Sequence, residues 1–468
     1  MTDGVFDVAV VGAGPGGYVA AIRARQLGLS TVLVEKDRIG GRCLNYACIP
    51  AKAVLRSADV LDEVRKAATF GVALPEGSPA VDFATVGKRR DRVIKTLTGG
   101  VGGMLKRHEV TVVEGSASLA PASGQDAVDL VVQTAEGPRA VRAAHVVLAT
   151  GSVALPVLGL NFGGRVVDTA GAWLAGAVPH SLAVIGAGAS GVEVASAFGR
   201  LGSAVTLIEA LPQILPAEEP AIAELVSKEL AKQNVRVLAG AQITAAAAGD
   251  AGVAIDVSGE RVQTDGLCIA AGRAPDLAGI GAEHYGNVVD ERGLVEVDGF
   301  QRTSHPRIFA IGDIVRGPAL AHKASEEAVV AIESIAGHPD VEPLEIDNIP
   351  RATFCSPQVA AVGLTEDQAR ATGATLAVGE FPLAAAGAAT VYGDRLGFVK
   401  IIGDAATGEI LGAHAVGPRA ADLIAELAVA KSGQVGYKDL ARIVHAHPTL
   451  SEAVLEAARA ADGWVIHA

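Results

Sequence analysis

Residues 5–35 read VFDVAVVGAGPGGYVAAIRARQLGLSTVLVE. Val5 to Val11 is a short β-rich apolar run. It breaks into Gly12-Ala13-Gly14-Pro15-Gly16-Gly17 and continues as an Ala-rich helical stretch, Tyr18 to Leu27. A strand follows at Thr31–Val34 and ends on Glu35. The order strand, glycine turn, helix, strand, acid describes a cradle for a dinucleotide. Gly12, Gly14 and Gly17 let backbone amides approach a pyrophosphate, the helix N-terminus favours its charge, and the carboxylate takes ribose hydroxyls.

A single glycine hexapeptide also fits an ordinary tight turn, but this one has a second copy. Leu182–Ile185 leads into Gly186-Ala187-Gly188-Ala189-Ser190-Gly191, a helix follows from about Val192 to Leu201, and the strand Ala204–Ile208 ends at Glu209. The acid stands 23 positions after the first glycine in both copies. The chain is therefore read as α/β, with two Rossmann-like dinucleotide-binding domains holding two dinucleotides. From about Pro350 the pattern changes to an α+β unit without a fingerprint. Its strands are Val359–Val362, Gly397–Ile402 and Glu409–Val416, and its helices are Ala420–Ala430 and Glu452–Ala461. Between the copies we expect helices at about Ala51–Ala68 and Phe83–His108 and a strand at Val146–Gly151. Cys268–Arg273 closes the second copy in the same way, and Ile308–Asp313 is a further strand end. The expected domains are 1–150, 151–272, 273–347 (completing the first) and 348–468.

Composition narrows the function. Hydrophobic residues make up 50% and charged residues 19%, so large cores are within reach. There are 56 glycines in 468 residues without a three-residue period, which points to close backbone approaches. The net charge of −13 argues against nucleic-acid or anionic-membrane partners. Mean hydropathy is +0.36, yet no apolar run approaches the ~18–20 residues of a spanning helix. Met1 to Gly4 lacks a basic leader, and with the first strand starting at about Val5 we expect neither a secretion signal nor an N-terminal lipoyl domain. Four cysteines do not make a disulfide scaffold. The expectation is a soluble cytoplasmic protein with no metal site.

The chemistry concentrates in Gly40-Gly41-Arg42-Cys43-Leu44-Asn45-Tyr46-Ala47-Cys48-Ile49-Pro50-Ala51-Lys52. Five positions along an ideal helix give about 7.5 Å of rise and about 140° of rotation. Disulfides rarely exceed ~6.8 Å between Cα atoms, so a bridge needs a distorted turn. Buried thiols are the alternative, but CxxxxC beside a dinucleotide fold is a redox placement. Cys268 and Cys355 read as core residues. Near the other end stand His445, His447 and Pro448. Thr449-Leu450-Ser451-Glu452 fits a capping box, so Glu452 either closes a helix or serves His447.

Taken together, GAGPGGYVAAIRA, CLNxxCIPxK, ATGS, the second fingerprint, GRAPD, AIGD, LAHKA and HAHPTLSE resemble the flavin-dependent pyridine nucleotide-disulfide oxidoreductases over nearly the whole chain. CLNxxC and HAHPTLSE lean toward the branch that oxidises dihydrolipoamide. The resemblance implies FAD on the first fingerprint, with Glu35 on its ribose and Gly41, Gly115, Thr150, Gly151, Asp313 and Ala321 around it. It implies NAD on Gly186, Gly188 and Gly191, with Glu209, Gly272 and Arg273. Cys43 becomes the thiol facing substrate and Cys48 the one facing the flavin. Lys52 and Glu193 become an ion pair by the ring, although by themselves they read as solvated helix charges. His447 becomes the acid/base, oriented by Glu452, and acts on the cysteines of the other subunit of a homodimer. The implied partner is a lipoyl-bearing acyltransferase of a 2-oxoacid dehydrogenase complex, or the lipoyl carrier of glycine cleavage.

Three departures from the family pattern keep other activities open. Arg42 adds a cation beside Cys43 and is expected to lower its thiol pKa. Tyr46-Ala47 replaces the common Val-Gly. Ala189-Ser190 stands where bulkier groups shield the flavin, which would open the nicotinamide pocket. The alternatives are an NAD(P)H-dependent reductase of another disulfide or of a quinone, and a flavin-binding subunit without turnover.

Overall fold

The structure, a computed structural model, describes residues 4–75, 77, 79–121, 124, 126–286 and 289–467. The leader positions Met1 to Asp3 and the terminal Ala468 lie outside them. The chain forms two compact units. One comprises residues up to Ala53, Thr85–Leu155 and Gly272–Leu344; the other comprises Val54–Ala84, Pro156–Ala271 and Glu345 onward. Residues 54–84 thus group with the second nucleotide fold, not with the first as a single boundary at 150 has it.

In the first unit β1 (Phe6–Val11) is central, and its buried run Val8–Val11 is apolar on both faces. That is the composition of a parallel strand covered on both sides. The helix α1 (Pro15–Gln26) follows, then β2 (Thr31–Glu35), which pairs with β1 in parallel, Val11 opposite Val34. The strand order is Thr111–Glu114, β2, β1, Gly137–Leu148, Val128–Thr134, Ser116–Leu119, and Ile308–Ala310 also pairs with Gly137–Leu148. Next come α2 (Gly41–Asn45) and α3 (Cys48–Lys66). Leu44 packs among Val8, Val10, Ala20 and Leu33, so the cysteine segment is seated on the same core that holds the first fingerprint.

The second unit repeats this logic. Its parallel sheet runs Val235–Leu238, Ala204–Ile208, Ser181–Ile185, Gly266–Ile269, Val166–Asp168, with Ile185 opposite Ile208. Three antiparallel strands at Ile243–Gly249, Gly252–Val257 and Glu260–Thr264 form a separate small sheet. The C-terminal part is a five-stranded antiparallel sheet ordered Arg351–Thr353, Gln358–Gly363, Ile410–Gly417, Phe398–Asp404, Leu376–Pro382. The helices Ala420–Ser432 and Glu452–Ala461 pack on it through Leu423, Leu427, Ala453, Val454 and Ala457.

Candidate active site

The two fingerprints have matching geometry. Gly12 has φ +103° and Gly186 has φ +94°; a Cβ would lie 2.3 Å from the Ala149 carbonyl oxygen at the first and 2.6 Å from that of Ala270 at the second. At Gly17 and Gly191 a Cβ would strike the Gly12 and Gly186 carbonyls at 1.7 and 1.8 Å. These four glycines are therefore required by the backbone itself. Gly14 and Gly188 differ, because nothing lies within 4 Å of a Cβ there. Both are N-caps without a side-chain cap, at α1 and at the helix Ala189–Arg200. The open space and the uncapped amides suit an anion. By contrast the helix Glu366–Ala371 has a complete capping box from Thr365 and Gln368.

The acids repeat too. Glu35 accepts the Ala13 N–H at 2.6 Å through Oε2 and the Asp37 N–H at 2.8 Å through Oε1. Glu209 accepts the Ala187 N–H at 2.7 Å and the Leu211 N–H at 2.9 Å. Each oxygen keeps acceptor capacity for a ribose diol. Gly41 backs the first cradle, since a Cβ would lie 2.6 Å from the Gly14 Cα. The Gly115 N–H donates to the Glu35 carbonyl at 2.8 Å, at the sheet edge beside that acid.

Farther along the first cradle, the Thr150 hydroxyl oxygen is buried and meets no hydrogen-bond partner among the described residues. Gly151 (φ +75°) follows with open space over it. The Ser152 hydroxyl donates to the Asp313 carboxylate and accepts from Arg273 Nε at 2.8 Å, and Arg273 also reaches the Ser152 carbonyl. Arg273, expected on the nicotinamide cofactor, is thus engaged with the turn that carries Thr150. Ala321 opens a helix (Ala321–Ala336) whose N-cap, Leu320, supplies no side-chain acceptor. An orphaned hydroxyl, two uncapped helix ends and a glycine cradle fit a dinucleotide with a polar ring system. Gly272 (φ +145°) lies three residues beyond the corresponding strand of the second copy, Gly266–Ile269.

The cysteine segment is the distorted turn that the spacing demands. The Arg42 carbonyl accepts both the Tyr46 N–H at 2.8 Å and the Ala47 N–H at 2.9 Å, which ends α2 and lets α3 restart at Cys48. Asn45, 4% exposed, donates to the Ile39 and Gly41 carbonyls at 3.0 and 2.9 Å and locks the loop. Cys43 and Cys48 are free thiols, hydrogen-bonded to each other. That contact and burial push the Cys43 thiol well above its ordinary value, while the Lys52 ammonium pulls the other way. The expectation of a lowered Cys43 pKa beside Arg42 is thus corrected for the dithiol. A neighbouring thiol and loss of water outweigh a cation. Tyr46 Oη donates to Asp37 at 2.7 Å, and its ring faces Arg38. Ala189 and Ser190 are exposed.

His447 Nδ1 lies 2.9 Å from Glu452 Oε1. The carboxylate accepts there, so Nδ1 carries the proton and the Nε2 lone pair is available. The His447 side chain is 76% exposed, and Nε2 meets no partner among the described residues. Glu452 Oε2 accepts the Thr449 N–H at 2.9 Å, whereas the Thr449 hydroxyl turns to the Ala446 carbonyl. Half of the capping box therefore exists, and the same carboxylate orients the histidine. Partial burial pushes the Glu452 carboxyl up, but the Thr449 amide and His447 outweigh it and hold it below its usual range. His445 differs: its Nε2 is on Glu426 at 2.5 Å and its Nδ1 on the Ile443 carbonyl at 2.9 Å, so both nitrogens are committed.

Glu193 is not a solvated charge. It is 5% exposed and accepts the Phe354 N–H at 2.9 Å. Lys52 and the cysteines belong to one unit; Glu193, His447 and Glu452 belong to the other. Two buried residues of the LAHKA segment and its helix escaped sequence reasoning, Lys323 and Glu327. Their ion pair is 2.7 Å long, and both side chains are 1% exposed. The i,i+4 spacing was visible, but nothing in the sequence says that such a pair is buried. Asn45 is another such residue, visible in the sequence only as part of CLNxxC.

Comparison with known proteins agrees with this geometry. Residues 6–328 match the model of the pyridine nucleotide-disulphide oxidoreductases, and residues 349–458 match the dimerisation domain of the same group. Dihydrolipoyl dehydrogenase of Geobacillus stearothermophilus is 40% identical over 98% of this chain and 96% of its own length. That of Chlorobaculum tepidum is 43% identical over 97% and 96%. Among solved structures, LpdA of Mycobacterium tuberculosis superposes with a TM-score of 0.90 at 26% identity, covering 97% of this chain and 98% of that one. The HOCl-induced flavoprotein disulfide reductase RclA of Escherichia coli, as its Cu(II) complex, gives 0.86 at 26% identity, covering 97% and 99%.

Proposed function

We propose, for a chain that belongs to the pyridine nucleotide-disulphide oxidoreductase family, that it is a dihydrolipoyl dehydrogenase: it oxidises protein-bound dihydrolipoamide and passes the electrons to NAD⁺. The observation that carries the reading is the paired thiol turn seated on the first dinucleotide cradle, Cys43 hydrogen-bonded to Cys48. The His447–Glu452 contact supplies the base that thiol oxidation needs.

In the proposed reaction His447 Nε2 takes the proton of one dihydrolipoamide thiol. The thiolate attacks Cys43 Sγ and breaks the Cys43–Cys48 bond. The second substrate thiol closes the lipoamide disulfide and releases Cys43, leaving the two-thiol state of the structure. FAD, when bound, supplies the carrier between the dithiol and the nicotinamide. Gly12, Gly14, Gly17, Glu35, Gly41, Gly115, Thr150, Gly151, Asp313 and Ala321 would hold FAD. Gly186, Gly188, Gly191, Glu209 and Gly272 would serve NAD, whereas Arg273 is held on the Ser152 turn of the first cradle. Glu209 opposes the 2′-phosphate of NADP by charge. Lys52 and Glu193 are assigned to tuning the ring.

The homodimer supplies the second subunit for each site. Val391, Val429 and Val444 are 68%, 72% and 94% exposed on the segment that matches the dimerisation domain, which supports burial against a second copy. The segments 1–150, 151–272, 273–347 and 348–468 are assigned as first nucleotide, second nucleotide, central and dimerisation parts, except that residues 54–84 go with the second compact unit. The partner is the lipoyl-bearing acyltransferase or the glycine-cleavage carrier, in the cytoplasm. Among the described residues no helix is long and apolar enough to cross a membrane.

The likeness to RclA supports a second reading, NAD(P)H-dependent reduction of another disulfide. Steady-state oxidation of free dihydrolipoamide, with NAD⁺ and NADP⁺ compared, separates the two. Rapid NAD⁺-dependent turnover is expected. A flavin that NADH reduces in a protein inert toward dihydrolipoamide would favour the reductase.

A further inference from the structure

The Lys323–Glu327 pair lies off the reaction path, yet it is the most deeply buried ion pair recorded among the described residues, with 1% of each side chain exposed. Two opposite charges taken out of water rarely stabilise a fold more than apolar groups of the same shape would. Their other contacts point to a more specific role. Glu327 Oε2 accepts the Gly312 N–H at 2.7 Å. Lys323 Nζ donates to the Gly312 carbonyl at 3.1 Å. The pair therefore grips the two peptide groups on either side of one Cα, that of Gly312, whose φ is +82°. Burial pushes the Glu327 carboxyl up, and Lys323 and the Gly312 amide oppose that.

The next residue is Asp313, whose carboxylate accepts the Ser152 hydroxyl, and Ser152 in turn accepts from Arg273. Lys323 and Glu327 also sit in the helix that Ala321 opens, with its uncapped amides. One buried pair thus ties the turn bearing Asp313 to the helix bearing Ala321.

We propose that Lys323 and Glu327 are positioning residues for FAD: by fixing both peptide groups at Gly312 they hold Asp313 and the first turn of the Ala321–Ala336 helix in binding geometry before the cofactor arrives. The proposal rests on the flavoprotein reading above and adds two residues to it. It makes the contact to Gly312, not the ion pair as such, the element that matters.

Two double variants separate these. Lys323→Met/Glu327→Gln removes both charges but keeps an amide oxygen for the Gly312 N–H. Lys323→Met/Glu327→Leu removes the charges and the acceptor at similar volume. FAD affinity is measured by flavin fluorescence quenching on titration of each apoprotein, and folding by the melting temperature of the apoprotein. The Gln variant keeps an acceptor for the Gly312 N–H but loses the Lys323 donor to the Gly312 carbonyl, so it should bind FAD a few-fold more weakly than wild type. The Leu variant should bind about tenfold or more weakly than the Gln variant, because a buried donor is left unmet. Equal FAD affinity in the two variants would overturn the proposal. If the Leu variant does not fold, hydrogen exchange of the wild-type apoprotein decides. The Gly312 amide should exchange slowly before FAD is added; fast exchange, slowed only by FAD, would overturn it. Wild-type apoprotein that takes up no FAD would overturn the flavoprotein reading itself.

Discussion

At the scale of single residues, His447 and Glu452 form a unit whose parts fail differently. His447→Gln removes the base and should lower kcat for dihydrolipoamide oxidation by about 10²–10⁴-fold. NADH reduction of the flavin should be unchanged, since Nε2 plays no part in it. Glu452→Gln keeps an acceptor for the Thr449 N–H but weakens the hold on Nδ1–H, so a smaller loss, about tenfold, is expected. The same carboxylate carries a stability effect of definite sign. Its pKa in the fold is depressed by the Thr449 amide and by His447. A depressed carboxyl contributes stability that is present above its unfolded-state pKa and lost as pH falls through the folded value. Denaturant midpoints followed from about pH 5 to about pH 3 should therefore fall more steeply for wild type than for Glu452→Gln. Parallel curves would show that the contacts seen here add nothing in solution.

At the scale of elements, the fingerprints contain two kinds of glycine. Gly17→Ala places a methyl group 1.7 Å from the Gly12 carbonyl oxygen, so the strand–turn–helix itself must shift. The apoprotein should melt several degrees lower, having lost about the 1–3 kcal/mol typical of an overpacked site. Gly14→Ala adds a methyl group to open space at φ −68°, which any residue adopts. Its apoprotein should melt like wild type while FAD affinity drops, because the methyl occupies the cradle. Calorimetry of the two apoproteins and flavin titration check both halves.

This contrast marks what the sequence discloses. Local backbone demands leave a signature, so both cradles, the acid 23 positions on and the broken helix at Cys43–Cys48 are legible. Long-range burial leaves none. Glu193 looks like a surface charge and is 5% exposed. The Lys323–Glu327 pair looks like an ordinary solvated i,i+4 bridge. The run Ile243–Gly249 is mostly alanine, a helix former, yet it is a strand, because pairing with Gly252–Val257 decides its state. In the sequence Glu452 is open between closing a helix and serving His447, and the structure puts one oxygen on the Thr449 N–H and the other beside His447 Nδ1.

At the scale of the whole molecule, the reading proposed above joins Cys43 of one chain to His447 of the other. The His447 ring is largely exposed, with its acceptor lone pair pointing away from Glu452. Joining Cys43 of one subunit to His447 of the other makes a prediction about mixtures. Neither Cys43→Ala nor His447→Gln homodimers should turn over dihydrolipoamide appreciably. In a heterodimer of the two, one site combines both defects and the other has both native residues. Heterodimers purified through two different affinity tags should therefore recover about half of the wild-type rate per dimer. If each chain instead used its own His447, every site in the heterodimer would carry one defect, and the purified species would be as inactive as its parents. Flavin reduction by NADH in the His447→Gln parent gives the internal control, since that half of the reaction needs no base from the second chain.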